Sequence, residues 1–89
     1  MEYINNICAT YPATSEFKYQ LLARMQQDCE YFLGNGARLV KHLWAGNVEE
    51  QIASMRALHE SFPADAKPEW LTTEQIDEYA KRMAEENAA

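Results

Sequence analysis

Between Phe17 and Leu33 the apolar residues fall at Phe17, Leu21, Leu22, Met25, Cys29, Phe32 and Leu33, in steps of three and four. That spacing puts one apolar stripe along one face of a helix and leaves a chain this short little choice but to pack other elements against it. Lys18, Gln26, Gln27 and Glu30 fall off the stripe. Upstream, Pro12-Ala13-Thr14-Ser15 reads as a helix start. Thr14 or Ser15 can cap the free N–H groups, and Glu16 suits the positive helix end. Downstream, Gly34 is expected to stop the helix by taking the left-handed conformation cheaply.

The stretch from Asp28 to Gly46 then organises the rest. Asn35-Gly36 allows a tight turn with positive φ. Ala37 to Trp44 reads as a short helical turn presenting Lys41-His42-Leu43-Trp44, and Gly46-Asn47 breaks it. Asn47-Val48-Glu49-Glu50 has the form of a capping box, with Asn47 as N-cap and Glu50 three residues into the helix. A second helix carries Ile52, Met55, Leu58, His59 and Phe62 on one face until Pro63 ends it. A polar connection bounded by Pro63 and Pro68 leads to Trp70-Leu71 and a second capping signature, Thr72 with Gln75. The last helix turns Ile76, Tyr79, Ala80 and Met83 inward and Asp77, Glu78, Lys81, Arg82 and Glu85 outward. Residues 1–12 are the hardest to read. Tyr3, Ile4, Ile7, Cys8 and Tyr11 suit a helical turn or a short strand, and Asn5-Asn6 weakens either.

The expected fold is therefore all-α: one long helix and two shorter helices joined by Gly- and Pro-bounded turns. Residues 1–13 form an N-terminal arm packing its aromatics on the body, 14–85 a single helical domain and 86–89 a frayed tail. The expected core is Phe17, Leu21, Met25, Cys29, Phe32, Trp44, Ile52, Met55, Leu58, Phe62, Trp70, Ile76, Tyr79 and Met83.

Eighty-nine residues make one domain with a modest core. No apolar run approaches the roughly 18–20 residues of a membrane span, and no basic-then-apolar leader precedes the domain. A cytoplasmic location, in a bacterial host cell, is the expectation. The two cysteines, Cys8 and Cys29, are too few for the disulfide framework of a small secreted domain and read as free thiols, with Cys29 buried as a small hydrophobe.

The net charge of −6 is one-sided. Residues 1–46 hold four acids and four bases, whereas residues 47–89 hold ten acids and four bases. An acidic half opposes phosphate contact and suits docking on a basic surface. Four basic residues in the first half leave Arg24, Arg38 and Lys41, with Tyr31 and Trp44, as a base-stacking alternative.

Catalytic signatures are missing. His42 in Lys41-His42-Leu43-Trp44 lacks a nucleophile or orienting acid at a recognisable spacing, and the sequence contains no Gly-x-Ser-x-Gly and no phosphate loop. His42 and His59 with Asp28, Glu30 or Glu60 lack the close ligand spacing of a metal site. Glu49-Glu50 and Asp77-Glu78 lie in early helix turns, where the helix dipole accounts for them. No enzyme activity and no cofactor are expected.

The block from Phe17 to Gly34, followed by Lys41-His42-Leu43-Trp44-Ala45-Gly46, Phe62-Pro63 and Lys67-Pro68-Glu69-Trp70-Leu71-Thr72, resembles the large polyvalent protein-associated domains. The likeness runs from about Phe17 to Met83. It implies a small helical module of phages, integrative elements or conjugative plasmids, with no catalytic residues to carry over. Leu39-Val40 is more apolar than such a loop needs and reads as extra contact surface. Together with the acidic second half, the resemblance implies a non-enzymatic protein-binding module that inhibits or modulates host defence, in the manner of an anti-CRISPR. Its expected partner is a basic nucleic-acid-handling host protein such as a CRISPR effector, and its expected contact residues are Glu74, Asp77, Glu78, Lys41 and His42. The alternative is a nucleic-acid-associated accessory protein of a phage or conjugative element.

Overall fold

The computed structural model describes residues 2–34 and 39–84, apart from the His42 side chain. Expectations for the Asn35-Gly36 turn, Arg38, Glu85 and the tail lie outside the described residues. Within them the chain is all-helical: α1 (Glu2–Thr10), α2 (Glu16–Leu33), α3 (Val48–Ser61) and α4 (Thr73–Ala84), with short 3₁₀ turns at Val40–His42 and Ala64–Ala66. Helix α3 lies at the centre and packs against each of the other three helices, and α2 also meets α4.

The long helix follows its stripe. Leu21, Leu22, Met25, Cys29 and Phe32 are all buried. Its ends differ from expectation. Ser15 sits at the N-cap but makes no side-chain cap hydrogen bond. Its carbonyl instead accepts from the Lys18 and Tyr19 amides. Gly34 has φ −112°, which is not left-handed, and its N–H donates to the Glu30 and Tyr31 carbonyls. A Cβ there would come within 3.3 Å of the Glu30 carbonyl oxygen, so close approach is what favours glycine at this position. The left-handed residue is Gly46, with φ 83°.

The other caps form as read. The Asn47 side chain accepts from the Glu50 amide at 2.8 Å. Thr72 and Gln75 cap reciprocally: the Gln75 side chain accepts from the Thr72 amide at 2.8 Å, and Thr72 Oγ1 accepts from the Gln75 amide at 3.2 Å.

The N-terminal segment is a nine-residue helix instead of a turn or strand. Ile4 and Ile7, three apart, enter the core, while Asn5 and Asn6 face out. Burial against α3 overrides the weak helix propensity of the two asparagines. Its aromatics do meet the body: the Tyr3 ring lies 5.6 Å from Trp44 and the Tyr11 ring 4.8 Å from Phe17.

Four assignments to the core or surface are corrected. Phe17 and Trp70 are 37% and 42% exposed, and Leu71 takes the core position that Trp70 was expected to fill. Lys18, expected outside the stripe, is 1% exposed. Its Nζ donates to the Ala13 carbonyl at 3.2 Å and lies 4.8 Å from the centre of the Phe62 ring, so a carbonyl and an aromatic face replace water around the ammonium. Trp44 is half-buried and packs on the core from outside.

Candidate functional site

The residues expected to meet a partner fall into two separate groups. Glu74, Asp77 and Glu78 lie on the outer side of α4, opposite the buried Ile76, Tyr79 and Met83, as the 3.6-residue period dictates. Glu74 and Glu78 are exposed. Asp77 is already engaged: its carboxylate pairs with Arg56 of α3 at 2.6 Å, both side chains about half exposed. Lys41 belongs to the Val40–His42 turn, which packs on α2, and is exposed there; the His42 side chain is outside the described residues. No side-chain interaction joins the two groups in the geometry described.

Beside the Arg56–Asp77 pair runs a shallow, largely apolar groove of about 370 Å³ between the antiparallel α3 and α4. Ile52, Ala53, Ala80 and Ala84 line it, with Glu49 at the end nearest the start of α3.

The residues considered for metal binding have structural partners. Asp28 Oδ2 accepts from the Trp44 amide at 2.9 Å and so fixes the turn onto α2. Glu30 accepts from the Tyr79 hydroxyl. His59 is buried, with Nε2 3.1 Å from the Leu71 carbonyl, to which it donates as the Nε2–H tautomer. Among the described residues no three His, Cys, Asp or Glu side chains gather as a metal set. Of the base-stacking alternative, Arg24, Tyr31 and Lys41 are exposed, Trp44 is half-buried, and Arg38 lies outside the described residues.

Two groups have altered acidity. Burial, reinforced by the Asp28 charge, pushes the Cys29 thiol up to about 12, and its Sγ rests 3.6 Å from Met55 Sδ. Burial first, and then the hydrogen bond to Glu30, pushes the Tyr79 hydroxyl up to about 12. Both changes favour the neutral form, the reverse of what activates a nucleophile.

Sequence reasoning missed the buried polar residues that hold the surfaces in place. Gln51 is fully buried: its Oε1 accepts from the Ala45 amide at 3.0 Å and its Nε2 donates to the Met25 carbonyl at 3.2 Å. One side chain thus joins the segment between the 3₁₀ turn and α3 to both α2 and α3. Lys67 Nζ donates to the His59 and Phe62 carbonyls at 2.7 and 2.9 Å, capping the C-terminus of α3. Tyr19 stacks on Phe62 with ring centres 4.3 Å apart and donates its hydroxyl proton to the Ala66 carbonyl at 2.7 Å. The one available signal was position: Gln51 falls on the inward side of α3, one residue before Ile52.

Fold and surfaces define a small all-helical domain that displays separate acidic and apolar faces around a polar-stitched core. The family model for large polyvalent protein-associated domain 11 matches residues 15–83, and the chain belongs to that family. Membership associates it with the mobile elements that carry such domains. No curated protein and no solved structure matches the chain.

Proposed function

We propose that the chain is a non-enzymatic protein-binding module of a mobile genetic element, and that it works by covering a basic surface of a host protein. The observation that carries this reading is the outer face of α4, where exposed Glu74 and Glu78 crown the half of the chain that holds all of its excess negative charge. The short α4 places these carboxylates one turn apart on a firm helix, an arrangement that suits lysines and arginines spread over a nucleic-acid-handling protein. A CRISPR effector is the partner this reading favours, with inhibition by steric and electrostatic occlusion. Lys41 lies on a separate face and contributes at most a second contact.

The test is capture from bacterial lysate with the immobilised chain, comparing wild type with Glu74→Lys/Glu78→Lys at rising salt. The expected result is retention of basic nucleic-acid-handling proteins by wild type, weakened by salt and lost in the variant. Equal capture by both proteins removes the acidic face from the reading. A mobility shift of bare nucleic acid by the wild-type chain at low salt replaces it with the nucleic-acid alternative.

A further inference from the structure

The groove between α3 and α4 has an apolar floor and an acidic rim. Along one side of α3 run Glu49, Ala53, Arg56 and Glu60, and along the facing side of α4 run Glu74, Asp77, Ala80 and Ala84. Steps of three and four hold each set on one side of its helix. The alanines, with Val48 and the edge of Ile52, line a shallow space of about 370 Å³. Glu49, Glu60, Glu74 and Asp77 are exposed around it. The bases on this side are Arg56, which is engaged by Asp77, and Lys81.

We infer that this groove seats a basic amphipathic helix of the partner protein, whose aliphatic residues enter between α3 and α4 while its lysines and arginines meet the acidic rim. The inference rests on the acidic-face reading and names the shape of the partner segment. Val48, Ile52 and Arg56 recur every four residues on α3, as Ala80 and Ala84 do on α4. Two such parallel rows accept the ridge of a third helix between them. Val48 to Arg56 covers about 12 Å at 1.5 Å per residue, which matches two turns of a partner helix with apolar residues at i, i+4 and i+7. Alanine walls leave the space for larger aliphatic side chains on the other partner. Charge selects against a second copy of this chain, because residues 47–89 hold ten acids and four bases and would meet their own kind.

The test is a chemical-shift titration of the full chain with a capped synthetic peptide of about twelve residues, with leucines at i, i+4 and i+7 and lysines on its other faces. Its control has the same residues shuffled so that the leucines share no face. Expected are shifts centred on Ala53, Ala80 and Ala84, and affinity at least about tenfold above the control. Ala53→Gln/Ala84→Gln fills the groove without altering charge and uses residues that helices accept, so it should fold and bind the peptide at least about tenfold more weakly. Equal binding of both peptides, shifts confined to the outer face around Glu74 and Glu78, or undiminished binding by the folded variant overturns the inference. So does a wild-type dimer in sedimentation that this variant abolishes, which gives the groove to a second copy. The acidic-face reading fails separately, through lysate capture indifferent to Glu74 and Glu78.

Discussion

Single side chains decide how this small core closes. Cys29 is held as a thiol, with its acidity moved from 9.0 to about 12. The unfolded chain releases that proton first, so the contribution is complete below pH 9.0 and is lost as pH rises through about 12. Tyr79 adds to the loss from 10.0 upward for the same reason. Urea midpoints should therefore fall across this alkaline range, and Cys29→Ala should flatten the early part of the decline relative to its own value at neutral pH. At pH 8 the half-buried Cys8 should react with a thiol reagent in the native protein while Cys29 reacts only on unfolding. Gln51 is the other decisive residue. Gln51→Ala removes the partner of the part-buried Ala45 N–H, takes one of the hydrogen bonds of the Met25 carbonyl and leaves a cavity, and should cost about 1–3 kcal/mol, read from urea denaturation. The burial of Cys29 was expected from its place on the α2 stripe, but the role of Gln51 does not follow from residue type: glutamine is usually exposed, and only the meeting of α2, α3 and the segment that joins the 3₁₀ turn to α3 makes its two-ended amide useful here.

Among the elements, the α4 cap offers a clean measurement. Thr72→Ala and Gln75→Ala should each destabilise by about 0.5–2 kcal/mol, and the double variant by less than the sum, because each side chain serves the other's backbone. These caps were legible in the sequence because their partners lie three residues apart. The α2 and α3 stripes were legible because a helical period repeats within the segment itself. Helix α1 was not, since Ile4 and Ile7 find their neighbours on α3, more than forty residues downstream. The inversion of Trp70 and Leu71 has a similar origin. Gln26 Nε2 donates to the Trp70 carbonyl, which ties that turn to α2 with Leu71 facing inward. At the candidate site, helical period alone predicted the exposure of Glu74 and Glu78. The Arg56–Asp77 pair was hidden because it crosses between helices.

For the molecule as a whole, that pair modulates how acidic the α4 face is. Arg56→Gln should cost less than about 1 kcal/mol, because an ion pair this exposed is screened by water. It also releases Asp77 beside Glu74 and Glu78 and makes the net charge one unit more negative. If the acidic face docks on a basic partner, this variant should be captured more strongly than wild type at low salt while melting almost normally. The buried Lys18 has a wider consequence. By gripping the Ala13 carbonyl from within the packed body, it moors the chain just before α2 begins. Any loosening at the head of the long helix has to break that grip first.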